Sequence, residues 1–164
     1  MSSAWLFIVA ITSGIIALSF SYPEGAPKET CATFRPNHDN HTPKTSPHNY
    51  ELSANPSSVQ QGSTTKVTLQ GKGGETFKGF FIQGQDEVTK RPVGKFRRQG
   101  DANTVDCSGT ATSITHVNPK DKSSVSVVWE APASYTGKVI FRAAVVKTFE
   151  NFWDNIYSQP IVIN

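Results

Sequence analysis

Three groups of residues in this chain have types and spacings suited to chemistry. Cys31 and Cys107 are its two cysteines, and an oxidising compartment leaves little reason for thiols, so one disulfide is expected between them. The competing reading bonds each to another chain. Closing a loop of that length stabilises a fold by about 4 to 5 kcal/mol in the chain-entropy view, and would pin the N-terminal segment to the body. His38, His41 and His48 form the second group, and His38-x-x-His41 offers two nitrogens that zinc or copper could take. No cysteine is left to complete a tetrahedral site once the disulfide forms, so neither metal nor cofactor is expected. The third group is Lys90-Arg91-Pro92-Val93-Gly94-Lys95-Phe96-Arg97-Arg98, five cations interleaved with apolar residues. Arginine can grip phosphate or carboxylate through two parallel hydrogen bonds, and Phe96 adds apolar area.

That basic run has a blander reading as a hairpin whose charges keep a sheet edge soluble and unpaired. Asp86, Glu87, Asp101 and Asp106 flank it and would partly neutralise it. Nothing marks a catalytic centre. No Gly-x-Ser-x-Gly elbow is present, and the carboxylates of Asp86-Glu87 fall in a turn, where paired charge usually means a solvated loop. Enzymatic activity is therefore not expected. The net charge of +3 argues for a mild preference for anionic surfaces, not for nucleic acid. Asn40-His41-Thr42 is the one acceptor for N-glycosylation with a permitted middle residue, since Asn55 and Asn118 are each followed by Pro.

The elements that must position these groups begin after residue 21. Residues 1–21 carry no charge and end in small residues, with Ala17 and Ser19, or Ser19 and Ser21, at the spacing signal peptidase accepts. They read as a signal peptide, so residues 22–164 are expected outside the cell as one domain without a membrane span. Pro23 to Pro47 is crowded with Pro, His, Asn and Thr and reads as an irregular arm held by Cys31. Beyond it, alternating apolar residues recur: Tyr50, Leu52 and Ala54; Val67 and Leu69; Val125, Val127 and Trp129; Val139, Phe141, Ala143 and Val145. Phe80-Phe81-Ile82, Ser113 to Val117 and Ile161 to Ile163 add further strands, while Thr148 to Tyr157 reads as a short helical turn. Seven or more short strands argue for an all-β, antiparallel two-sheet sandwich with an irregular N-terminal arm.

An ordered set of residues along this frame resembles the reeler (reelin-type) domain family. It runs from Tyr22-Pro23-x-Gly25-Ala26-Pro27 through Cys31, Pro36 and His38 to Gly79-Phe80-Phe81-Ile82-Gln83 and Val93-Gly94-x-Phe96. Cys107, Thr115-His116, Trp129-x-Ala131-Pro132, Gly137-x-Val139-x-Phe141, Phe152-Trp153 and Ser158 follow in order. The resemblance is greatest to the family's single-domain insect members, defense proteins induced on infection. It implies an immunoglobulin-like sandwich and a secreted, monomeric innate-immune protein. Its implied partners are microbial surface components, such as lipopolysaccharide or other anionic glycans, or the haemocyte surface, and antimicrobial action goes with that role. The alternative it leaves open is an extracellular-matrix or adhesion module that binds a protein. A redox class is also raised, because reeler domains precede ferric-reductase-type membrane proteins, although the haem-binding and membrane parts are not in this sequence. His38 and His116 fall on family positions and are expected as half-buried residues bonding arm to sheet.

Overall fold

The computed structural model describes residues 22, 24–36, 38 and 41–164. The expected signal peptide, residues 1–21, and the acceptor Asn40 lie outside the described residues. Among the described residues the elements in chain order are a one-turn helix, α1 (Thr30–Thr33), and eleven strands. These are β1 (Tyr50–Asn55), β2 (Ser58–Val59), β3 (Thr64–Gly71), β4 (Gly79–Asp86), β5 (Lys95–Phe96) and β6 (Ala102–Val105). Then come β7 (Ser113–His116), β8 (Ser124–Glu130), β9 (Gly137–Val146), β10 (Phe152–Tyr157) and β11 (Ile161–Ile163).

The smaller sheet has the order β1-β3-β8-β5, and the larger runs β2-β11-β9-β4-β7-β6 with β10 paired to β9. Pairings are antiparallel except for the short β2–β11 contact. The fold is thus the all-β sandwich the alternation implies. Leu52, Val67, Leu69, Val127 and Trp129 from the smaller sheet join Phe80, Ile82, Ile114, Val139, Phe141, Ala143 and Val145 from the larger in one core. Period two sends their neighbours to the opposite faces.

Strand β4 departs from simple alternation, since every residue from Gly79 to Gln85 is buried. Phe80 and Ile82 fill the main core, while Phe81 joins Phe34 and Ala144 in a second cluster on the other face. A strand buried on both sides needs cover on both sides. The arm supplies it.

Thr148 to Tyr157 is not a helical turn. A turn closed by bonds between Thr148 and Asn151 leads into β10, whose pairing with β9 shifts register between Trp153 and Ile156. That bulge breaks the alternation by which the sequence would have declared a strand.

Trp129 anchors the centre. Its ring is fully buried, its Nε1 donates to the Val93 carbonyl at 3.1 Å, and it meets Phe141 edge-on at 5.3 Å. Two glycine backbones make room for it. A Cβ on Gly84 would stand 2.8 Å from Nε1, and one on Gly94, at φ +70°, would overlap the six-membered ring. Gly73 has a similar φ of +62° but open space around it. Gly73→Ala is therefore expected to cost only left-handed backbone strain, about 1 kcal/mol. Gly94→Ala adds overpacking against Trp129 and is expected to cost about 3 kcal/mol. Urea denaturation of both variants checks this, and equal losses would contradict the close approach.

Candidate binding surface

The outer face of the larger sheet carries Phe81, Gln83 and Gln85 from β4, Arg142 and Ala144 from β9, and Ser113 and Thr115 from β7, by the register of these strands. Left bare, the apolar members would face water. The arm crosses them in three fastened steps. Ala26 N donates to Thr115 Oγ1 at 2.9 Å, and that hydroxyl donates to the Phe80 carbonyl at 2.8 Å. Next, α1 places Cys31 in a disulfide with Cys107, with Cα atoms 5.4 Å apart. The helix then ends at Phe34, whose left-handed φ of 59° lets its N–H bond the Thr30 carbonyl while its ring meets Phe81 edge-on at 5.2 Å.

Burying Gln83 and Gln85 demands partners for their amides. Gln85 Nε2 donates to Gln83 Oε1 at 2.9 Å, and Gln83 Nε2 donates to Ser113 Oγ at 2.9 Å. The outer face beneath the arm is consequently half apolar and half an ordered amide relay.

His38 joins arm to body, and His116 lies beneath the arm, where Gly25 closes on its carbonyl. The His38 ring stacks on Phe149 at 4.1 Å, and its Nδ1 is 2.7 Å from the Phe149 carbonyl. His116 Nδ1 lies 3.2 Å from Phe80 N and 3.3 Å from the Phe80 carbonyl. Gly79 lies against the His116 ring, where a Cβ would come within 3.0 Å. Burial holds both imidazoles below the ordinary value of 6.5, more strongly than their backbone bonds raise them. His41 packs edge-on against the same Phe149. Among the described residues no group of three or more His, Cys, Asp or Glu side chains converges as a metal site would require.

The basic run begins as a hairpin and does not end as one. Pro92 bridges Gln85 antiparallel, with Asp86 N bonding the Arg91 carbonyl and Val93 N the Gly84 carbonyl, and the run then crosses to the smaller sheet, where β5 pairs with β8 at the sheet edge. Phe96 points inward, 2 % exposed and tilted against Phe141. Lys95 Nζ and Arg97 Nη2 both pair with Glu130 on β8, at 3.0 and 2.9 Å. Those two bonds hold the Glu130 carboxyl below its usual range. Lys90, Arg91 and Arg98 are exposed and enter no ion pair among the described residues. Asp86, expected to neutralise the run, instead shapes the turn before it. Its Oδ1 accepts from Thr89 N at 2.7 Å and Val88 N at 3.0 Å, and Tyr135 donates to its Oδ2 at 2.6 Å. The Thr89 bond foremost, then the Tyr135 bond, lower its carboxyl to about 2.

Arg142 and Tyr157, which share the outer face with the amide relay, were not singled out by the sequence. For Arg142 a signal was available, since it interrupts the apolar run from Val139 to Val146. Glu130 was missed because it stands 33 residues beyond Arg97.

The fold and the fastened arm define a disulfide-bonded, two-sheet sandwich of immunoglobulin-like type. The Reeler domain model matches residues 29–164, and this chain belongs to that family. It is 34% identical over 161 residues to "Putative defense protein 3" of Antheraea mylitta, covering 96% of this chain and 95% of the relative. It is 31% identical over 150 residues to "Putative ferric-chelate reductase 1 homolog" of Drosophila melanogaster, covering 87% of this chain but 23% of that longer protein. The crystal structure of the human F-spondin reeler domain superposes with a TM-score of 0.62 at 20% identity, over 77% of this chain and 96% of that one, a likeness of fold.

Two outcomes test the fastening of the arm. The disulfide spans 76 residues, and the paired change Cys31→Ser and Cys107→Ser is expected to lower unfolding free energy by about 4 kcal/mol in a denaturant titration. An unchanged midpoint would contradict it. Both histidines titrate lower with the arm docked than with it released, so the released state takes up protons first as pH falls. Docking is expected at full strength above about pH 6.5 and to weaken below it, read as faster proteolysis of the arm at pH 5 than at pH 7.5. A pH-independent rate would count against the histidine contacts.

Proposed function

We propose that this protein is a secreted defense protein that adsorbs to anionic microbial surfaces. The observation carrying this reading is the set of three exposed cations, Lys90, Arg91 and Arg98, that enter no ion pair among the described residues, on one crossover of a reeler scaffold. The near full-length similarity to an insect protein named for defense supports it. The apolar, uncharged leader and the disulfide both suit an extracellular protein. Individual surface charges bind weakly, and a repetitive surface such as lipopolysaccharide or another anionic cell-wall glycan turns many weak contacts into retention. Recognition of haemocytes through the same cations is compatible with this chemistry, and glycosylation at Asn40 would suit an exported chain. The reading involves no catalytic step.

The test is retention of the disulfide-bonded protein on whole bacteria, purified lipopolysaccharide and haemocytes at rising salt. Each exposed charge contact is worth about 0.5 kcal/mol, so replacing Lys90, Arg91 and Arg98 with Ser is expected to weaken retention about tenfold and flatten its salt dependence. Lys95→Ser with Arg97→Ser should do less, because Glu130 already occupies both. Undiminished retention of the triple variant, or saturable binding to a protein partner with none to microbial glycans, would overturn the proposal in favour of an adhesion module.

A further inference from the structure

Beside the arm, the outer face of the larger sheet sinks into an open hollow of about 280 Å³ bordered by Phe34, Gln83, Gln85, Lys90, Arg142 and Tyr157. No carboxylate is among its described lining residues. Arg142 is built in rather than loosely exposed. Its Nε donates to the Asp154 carbonyl at 2.9 Å, and its guanidinium carbon stands 4.1 Å over the Phe34 ring and 5.8 Å from the Tyr157 ring. The Asp154 carboxylate, the acid on that strand, is taken by Arg35 at 3.0 Å. Among the described residues nothing accepts from the terminal amino groups of Arg142. A guanidinium fixed in plane, with that edge unused, is arranged to receive an oxyanion in parallel hydrogen bonds.

The opposite border is also preset. Lys90 has a left-handed φ of 59° in the turn that Asp86 ties through Val88 N and Thr89 N, and its own N–H bonds the Asp86 carbonyl. Gln85 is 5 % exposed. Its Nε2 is given to Gln83, and its carbonyl oxygen accepts no hydrogen bond among the described residues, which leaves an acceptor for a hydroxyl. Tyr157, 49 % exposed, offers an aromatic plate at the rim. Two cations for an oxyanion, an amide acceptor for a hydroxyl and a ring for stacking are the groups that a single acidic sugar residue requires. The hollow lies just under the roughly 300 Å³ at which ligand pockets begin, a size for one ring and not an oligosaccharide.

We propose that this hollow is a recognition subsite for one sugar residue bearing a carboxylate or phosphate, with Arg142 and Lys90 on the anion, Gln85 on a hydroxyl and Tyr157 against the ring. The inference rests on the reading of the protein as a binder of anionic microbial surfaces and names what that surface must present. It shares Lys90 with the exposed crossover cations and adds Arg142, Gln85 and Tyr157, which do not belong to them.

The experiment is an NMR titration of the disulfide-bonded protein with glucuronic acid, glucose 6-phosphate, inorganic phosphate and uncharged glucose. The two acidic sugars are expected to shift Arg142 Nε and the Gln85 side-chain amide with saturable, millimolar affinity, and glucose is not. Arg142→Gln should weaken both acidic sugars at least tenfold, and Lys90→Ala, an exposed change that keeps the fold, should weaken them severalfold. Tyr157→Ala should weaken glucose 6-phosphate more than inorganic phosphate. Preference for one acidic sugar over the other would identify carboxylate or phosphate as the recognised group. Absence of shifts with both, inorganic phosphate binding as tightly as glucose 6-phosphate, a phosphopeptide outcompeting both sugars, or indifference to Arg142→Gln with the fold intact would overturn the subsite. Bacterial retention that persists in those cases and still depends on Lys90, Arg91 and Arg98 would leave the proposed function standing. Loss of retention by the wild type would remove both.

Discussion

The covalent bond between Cys31 and Cys107 is the constraint on which the outer face of the larger sheet depends. A two-sheet sandwich ordinarily covers one face of each sheet with the other sheet and leaves the remaining faces wet. Here β4 is buried on both. Its outward residues, Phe81 and the Gln83–Gln85 relay, are kept dry by a segment with one turn of helix and few backbone bonds of its own. Such a segment has little intrinsic reason to stay ordered. Fixing its middle to the β6–β7 connection removes most of the freedom it would regain by leaving, so the Ala26–Thr115 bond on one side and the His38 contacts with Phe149 on the other suffice to hold the rest.

The same fastening decides what the surface can do. Phe34 is at once the cover of Phe81 and the lower face of the Arg142 guanidinium. A released arm would bare apolar surface and leave Arg142 without one of the rings that orient it. The cationic crossover, in contrast, belongs to the body. It is positioned by Trp129 through the Val93 carbonyl and Gly94, and by Glu130 through Lys95 and Arg97. The crossover is thus supported by the core, and the setting of Arg142 by the arm.

Much of the fold was legible in the sequence because period-two alternation is a direct trace of one-sided burial. Val125, Val127 and Trp129, or Val139, Phe141, Ala143 and Val145, could hardly belong to anything else. Strand β10 was not legible, since its bulge interrupts the pattern, and β5 and β6 are too short and too polar to declare themselves. That Phe81 packs on the other face from Phe80 and Ile82 was not legible, because a run of three apolar residues does not tell which face is covered by what. In the site, Lys95 and Arg97 looked like free binding charges while the acid that engages them comes from a neighbouring strand. Arg142 looked like an ordinary outward residue for the same reason: the sequence gives its neighbours along the strand and not those across it.

The most direct test is the proximity of Phe34 to Phe81 before and after reduction of the disulfide. Their ring centroids are 5.2 Å apart, and those of Trp129 and Phe141 in the main core are 5.3 Å apart, so both pairs should give strong nuclear Overhauser cross-peaks in the oxidised protein. With the disulfide reduced under native conditions, the Phe34–Phe81 peaks should fade while the Trp129–Phe141 peaks persist. Phe34–Phe81 peaks undiminished by reduction, or absent from the oxidised protein, would contradict the account.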